Sequence, residues 1–341
     1  MKKLFIFAIS ILMLTGCKKN DISTVIKKFS DDVTSSNSYL INGSMAIITD
    51  EEEFNYTFSA KYLANDYYKV ILNNENNNHE QIILKNNDGV YVITPAINKS
   101  FKFQSSWPDN SSQSYLLRSL LKDINNDNNA KLEKSKDGYV ITTIVNYPNN
   151  SELSHQKLYF DKSINLKKVI VYGKDNNEKI ITKFSKIDLK ASSDKDEFKI
   201  DEYIKNSDDV ENKNCEKENC DKEASSILDD IIYPLYLPSN TYLTSSEKIS
   251  SGSNRVILTF SGDKQFTIIE EALSIPNEFE INPVYGDPVF LNDAIGVMGD
   301  GSIKWNRGNI SYYIAGNNLS NEEIVTIATS MNHAMSVLGS K

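Results

Sequence analysis

The residues of this chain that could carry chemistry are few and scattered. Its three histidines, His79, His155 and His333, stand far apart, and none falls in a motif with a second ligand or a nucleophile. His79 lies in an Asn-rich turn, His155 opens a strand and His333 sits late in a C-terminal helix. Each reads as a surface or local hydrogen-bonding residue. Cys215 and Cys220 bracket Glu-Lys-Glu-Asn, and acidic neighbours disfavour the thiolate that reactive cysteines need. A metal site would require two more suitable ligands, and no Cys or His lies nearby. A disulfide closing a small loop, or two free thiols, is the reading. The chain has no Gly-x-Ser-x-Gly elbow, His-Glu-x-x-His pair or Gly-x-x-x-x-Gly-Lys loop, although triads also assemble from distant positions. Asp229-Asp230 and Glu270-Glu271 read as solvated pairs, and Asp50-Glu51-Glu52-Glu53 as a charged connection between strands. No catalytic residue, metal or cofactor is expected.

Cys17 is different. Lys2 and Lys3 precede an apolar run from Leu4 to Leu14, and Leu14-Thr15-Gly16-Cys17 follows. This is the order of an export signal, residues 1–16, ending in a lipobox whose cysteine is acylated after cleavage. The apolar run is shorter than the ~20 residues needed to span a bilayer. Two acyl chains anchor stably where one binds marginally. The expected location is therefore the outer face of the cytoplasmic membrane, with the remainder soluble and tethered.

Processing leaves about 325 of the 341 residues, room for two domains. Loss of Lys2 and Lys3 takes the net charge from −9 to −11. Nucleic acid is a poor partner for such a chain, since binding it needs clustered Lys and Arg. Eighteen Tyr and fourteen Phe, many in alternating runs, favour β-structure.

The elements that must position any site follow from periodicity. Ile22 to Ser35 predicts a helix with Val25, Ile26, Phe29 and Val33 near helical spacing. From Tyr39 the period becomes two, giving strands at 39–48, 54–62, 67–73, 80–85, 89–94 and 99–104. Asn87-Asp88-Gly89 forms one of the turns. Ser111 to Asn125 predicts a second helix, striped by Leu117, Leu120, Leu121 and Ile124. Strands resume at 130–135, 139–145, 155–161, 166–172 and 179–189. This is an α+β chain: a long antiparallel meander that curls and carries helices in its concavity. Residues 191–224 are charged and poor in apolar side chains, the composition of a linker. Residues 225–341 form a small sheet-plus-helix domain, with strands at 232–238, 255–260, 265–271, 294–298, 303–306 and 310–315. Its helix opens on the capping box Ser320-Asn-Glu-Glu323.

Asn78 to Pro95, Asn98 to Pro108, Ser114 to Leu121, Val145 to Asn150 and Gln156 to Asp161 together resemble the germination lipoprotein GerS and its relatives in endospore-forming bacteria. These group with YdcC-type sporulation lipoproteins and, more distantly, with the LolA/RseB lipoprotein-carrier fold. The likeness covers roughly residues 20–190, within a domain of residues 17–190. Ile303 to Gly308, Tyr312 to Ala315, Leu319 to Ile324 and Ile327 to Ser330 are similar to a small domain of YdcC-type and anti-sigma-associated proteins, which GerS lacks. The resemblance implies a LolA-like open β-barrel with helices inside its concave face, and a role in sporulation or germination. It also implies a protein partner, of which a cortex-modifying amidase is one, and membranes around the developing spore as one location.

Three functions then compete. The chain could hold a spore-envelope enzyme, carry or sense a lipid or lipoprotein acyl chain, or regulate an anti-sigma factor in the manner of RseB. A concave face lined by Phe54, Tyr56, Phe58, Tyr91, Phe101, Phe103 and Trp107 would contact the ligand or partner. The same side chains would equally fill a core.

Overall fold

Alternation does most of the building. In β2 (Glu53–Leu63), Phe54, Tyr56, Phe58, Ala60 and Tyr62 are buried, and the residues between them are not. Neighbouring strands keep the same phase, so one apolar face runs unbroken along the sheet. The computed structural model describes residues 21–50, 52–204, 228, 231–249 and 254–331. Cys17, Cys215, Cys220, His333, Asp229, Asp230 and Glu51 lie outside the described residues.

The first sheet contains β1 (Ser38–Ile48), β2, β3 (Tyr67–Asn74), β4 (His79–Asn86), β5 (Gly89–Thr94), β6 (Lys99–Phe103), β7 (Lys131–Lys134), β8 (Gly138–Ile144), β9 (Leu153–Asp161), β10 (Leu166–Gly173) and β11 (Glu178–Asp188). These eleven run in the order β6-β5-β4-β3-β2-β1-β11-β10-β9-β8-β7, antiparallel to one another, and β6 and β7 do not pair. This is the curled open sheet anticipated above, not a closed barrel. Curling needs one close approach. The β1–β11 register shifts between Asn42 and Gly43. A Cβ on Gly43 would stand 2.2 Å from the Lys183 carbonyl oxygen and 2.7 Å from the Phe58 ring. Only glycine fits there.

Two helices occupy the concavity. In α1 (Ile22–Thr34), Asp21 caps by accepting from the Thr24 amide at 2.8 Å, and Val25, Phe29 and Val33 are buried. In α2 (Leu117–Asn126), Leu117, Leu120, Leu121 and Ile124 are buried against the same core. This helix starts six residues later than its pattern predicts. The Ser114 hydroxyl is hydrogen-bonded to Thr182 Oγ1 at 2.8 Å, and Ser112 donates to Asp123 at 3.0 Å. Buried hydroxyls must find partners, and reaching these holds 111–116 out of the helix.

The charged stretch after residue 190 begins docked, not free. Phe198 is fully buried on the convex face among Tyr67, Ile82, Leu84, Tyr91 and Ile93. Glu197 pairs with Lys61, and Lys69 with Glu202 at 3.0 Å. One aromatic in a charged run was enough to seat it, because the convex face is apolar here.

A second sheet follows, in the order β12-β13-β14-β19-β18-β17-β16. It comprises β12 (Thr241–Ile249), β13 (Arg255–Gly262), β14 (Phe266–Ala272), β16 (Asp287–Leu291), β17 (Ala294–Gly299), β18 (Ser302–Arg307) and β19 (Ile310–Ala315). The capping box at Ser320 and Glu323 is formed, and α3 (Asn321–Thr329) covers this sheet through Ile324, Ile327 and Ala328. Residues 232–238 are not the predicted strand. Pro234 and Pro238 have no amide hydrogen, and the Ile232, Leu235 and Tyr236 amides donate to Glu270, the Ser330 carbonyl and Ser330 Oγ. Three strands escaped the pattern: β12, β16 and β15 (Glu280–Val284). All lie at sheet edges, where alternation is weak, and Pro283 and Pro288 are tolerated there. β15 crosses to the first sheet and pairs parallel with β6, Glu280 opposite Lys99.

Candidate functional site

Where the two sheets meet they leave a cleft of about 950 Å³, inside the ~300–1,000 Å³ range of ligand sites. One wall is the end of β1 (Met45, Ile47, Ile48), the 107–115 loop and the 147–153 loop. The other is β16, β17 and the outer side of α3, with Leu235 and Tyr236 at the mouth. Ile83, Trp107, Phe290 and Ile295 make it apolar inside.

Its shape depends on how the second unit is plugged into the first. Ile295 and Val297 of β17 belong to the core of the open barrel. The Ile295 amide donates to Gln81 Oε1 at 2.8 Å, and Tyr56 Oη donates to the Asn292 carbonyl at 2.8 Å. Phe290 meets the Tyr56 ring edge-on, centroids 5.6 Å apart. The turn that carries Asn292 is braced from behind. Arg307 grips Asp293, Nη2 donating to Oδ1 at 2.7 Å with Nε 2.6 Å from Oδ2, in an ion pair almost fully buried. At the mouth, Ser151 donates through its amide and hydroxyl to Glu322 of α3, at 3.0 and 2.5 Å.

Of the seven aromatic residues read as concave contacts, Trp107 alone lines the cleft. Phe54, Tyr56, Phe58, Phe101 and Phe103 are buried in the core that α1, α2 and β17 complete. Tyr91 points the other way, into the convex cluster around Phe198, because Val90 and Val92 take the concave positions on either side of it. His79 and His155 do not line the cleft. His155 stacks on Tyr172 with centroids 5.0 Å apart, and its Nδ1 lies 2.9 Å from Ser154 Oγ. Among the described residues no three His, Cys, Asp or Glu gather as a metal site.

Two carboxyls, Asp123 and Glu270, are buried, although the sequence pattern reads Glu270 as solvated. Asp123 of α2 accepts from Ser112 Oγ at 3.0 Å and Gln156 Nε2 at 2.8 Å, and burial raises its pKa to about 6. It ties α2 to the loop that forms one wall. Glu270 is not solvated but fully buried, and accepts the Ile232 amide at 3.1 Å on both oxygens. Burial lifts its pKa to about 7, against the lowering effect of that amide. The signal was present: Phe266, Ile268 and Glu270 share one face of β14. Its partner Glu271 faces outward and pairs with Arg255 at 2.7 Å.

No family model matches the chain. It is 32% identical over 328 residues to the sporulation protein YdcC of Bacillus subtilis (strain 168), covering 95% of this chain and 94% of that protein. Among solved structures it is similar to a chain of the MucA/MucB complex of Pseudomonas aeruginosa, with 10% identity, 90% of this chain and 97% of that chain covered, and a TM-score of 0.32. It is also similar to a chain of the CwlD amidase–GerS lipoprotein complex from Clostridioides difficile, with 16% identity, 52% and 98% coverage, and a TM-score of 0.23.

Proposed function

The chain belongs to the family of the sporulation protein YdcC, and from that membership we propose that it is a lipid-anchored envelope protein that holds a partner protein at the cleft between its two units. The observation that carries this reading is the cleft itself: an apolar interior with Leu235 and Tyr236 exposed at its mouth. Exposed apolar side chains beside a concavity are the usual anchors of a protein interface. The anchor would be Cys17, placing the protein on the outer face of the cytoplasmic membrane or on membranes around the developing spore. The likeness to GerS nominates a cortex amidase as partner, and the likeness to RseB an anti-sigma factor. The protein's contribution is binding and positioning, without catalysis or a cofactor of its own.

An acyl chain is the second reading, favoured by Ile83, Trp107, Phe290 and Ile295 inside the cleft. Against it, most of the aromatic lining that a fatty chain would use is already packed in the core. A lipid-anchored protein is also badly suited to shuttling.

The test is affinity capture with the mature chain carrying Cys17→Ser, from sporulating cells, with mass spectrometry of proteins and extracted lipids. Enrichment of an amidase or another envelope protein without lipid supports the proposal. Stoichiometric lipid without a protein overturns it.

A further inference from the structure

The charged groups of the cleft are unevenly distributed. Among the described residues, Asp50, Glu152, Asp287, Asp300 and Glu322 line it, against Lys179 as the single lining cation. The chain as a whole carries 37 basic and 46 acidic side chains, so five to one is a local bias and not the average composition. Lys179 stands 3.5 Å from both Asp50 and Asp175, and Lys174, outside the lining, stands 3.7 Å from Glu152; among the described residues Asp287, Asp300 and Glu322 have no ion-pair partner. These carboxylates arrive from both units: Asp50 follows β1, Glu152 precedes β9, Asp287 opens β16, Asp300 lies in the β17–β18 turn and Glu322 is in the first turn of α3. They flank the apolar mouth, where Leu235 is 69% and Tyr236 42% exposed.

We infer that the occupant of this cleft is a peptide segment of the partner in which apolar side chains are interspersed with Lys or Arg. The inference rests on the partner-holding reading and gives it a chemistry. Apolar side chains would enter between Trp107, Phe290 and Ile295, while the basic ones meet the carboxylates on either wall. Juxtaposed like charges are costly at an interface, and complementary ones set register and the rate of encounter. A fatty-acid carboxylate or a lipid phosphate would bring negative charge to a negative mouth. The same apolar interior therefore selects against an anionic lipid.

The experiment is fluorescence anisotropy on the mature chain carrying Cys17→Ser. The probes are a labelled Leu/Phe peptide interspersed with Lys, its Glu-for-Lys counterpart, and the fluorescent fatty acid cis-parinaric acid. The Lys peptide is expected to bind more tightly than the Glu peptide and to weaken with added salt. Asp50→Asn combined with Asp300→Asn should weaken it roughly 2- to 25-fold, at ~1.5- to 5-fold for each exposed charge. Leu235→Ser combined with Tyr236→Ser should weaken both peptides alike. Equal binding of the two peptides, or no effect of removing the carboxylates, overturns the inference. So does parinaric acid bound in preference to either peptide. If the Lys peptide fails while cell capture still retains a protein, the peptide chemistry falls and the partner-holding reading stands. If capture retains lipid alone, both fall.

Discussion

The phenol of Tyr56 donates to the backbone carbonyl of Asn292 at 2.8 Å, joining the second strand of the open barrel to the β16–β17 turn 236 residues away. The same oxygen accepts from Asn74 Nδ2 at 3.2 Å. Because the turn is also gripped through Asp293 and Arg307, this contact registers the C-terminal unit against the concave core.

Tyr56→Phe keeps the ring against Phe290 and removes the bond. A hydrogen bond contributes ~0.5–1.5 kcal/mol net, and a buried group left without a partner costs ~1–3. The variant should be destabilised by about 1–3 kcal/mol in urea unfolding. A change below a few tenths of a kcal/mol would show that the joint rests on apolar packing alone.

Gly43→Ala places a methyl group against the Lys183 carbonyl and the Phe58 ring. Both belong to packed strands that can give little. Overpacking of this kind costs ~1–3 kcal/mol, so the urea midpoint should fall with the m-value unchanged. An unchanged midpoint would mean the sheet does not curl at this position.

Glu270 and Asp123 set the direction of the pH dependence. Their folded pKa values, raised by burial to about 7 and about 6, lie above ordinary carboxylate values. The folded state therefore binds more protons than the unfolded state between ~pH 4 and 7, and stability declines as pH rises through that window. Glu270→Gln retains an acceptor for the Ile232 amide and removes the titration. It should be more stable than the parent at pH 8, on the order of 1–3 kcal/mol, with the difference shrinking towards pH 5. A pH-independent difference in thermal unfolding would contradict the assignment to Glu270.

Phe198→Ala should release the docked stretch without unfolding the sheet behind it. Removal of a buried Phe costs ~3–5 kcal/mol, more than the exposed Lys69–Glu202 pair can supply. Limited proteolysis should then cut between residues 191 and 204, where the parent resists. Equal resistance in the two proteins would mean that the ion pairs hold the segment.

The open barrel was legible because its strands alternate strictly, and period-two burial of one face leaves little choice of register. Helix α1 and the α3 capping box were legible for the same reason: short-range patterns with a local physical cause. Glu270 shows the limit. Its neighbours announce an inward phase, but a carboxylate in that phase contradicts ordinary solvation, and only the Ile232 amide arriving from residues 231–238 resolves the contradiction. Tyr91 is aromatic like its concave neighbours, but strand parity decides which face a side chain takes, and it faces Phe198.

The sequence alone determined what depends on neighbours along the chain: the curled α+β sheet, the helices on its concave side, the small C-terminal unit and the lipobox expectation at Cys17. It could not indicate that β17 fills the concavity, that β15 leaves its own unit to pair with β6, or that five carboxylates from both units converge on one cleft. Those are contacts between residues remote in sequence. No local periodicity encodes them, because they form only when one apolar face must be covered and the second unit supplies the cover.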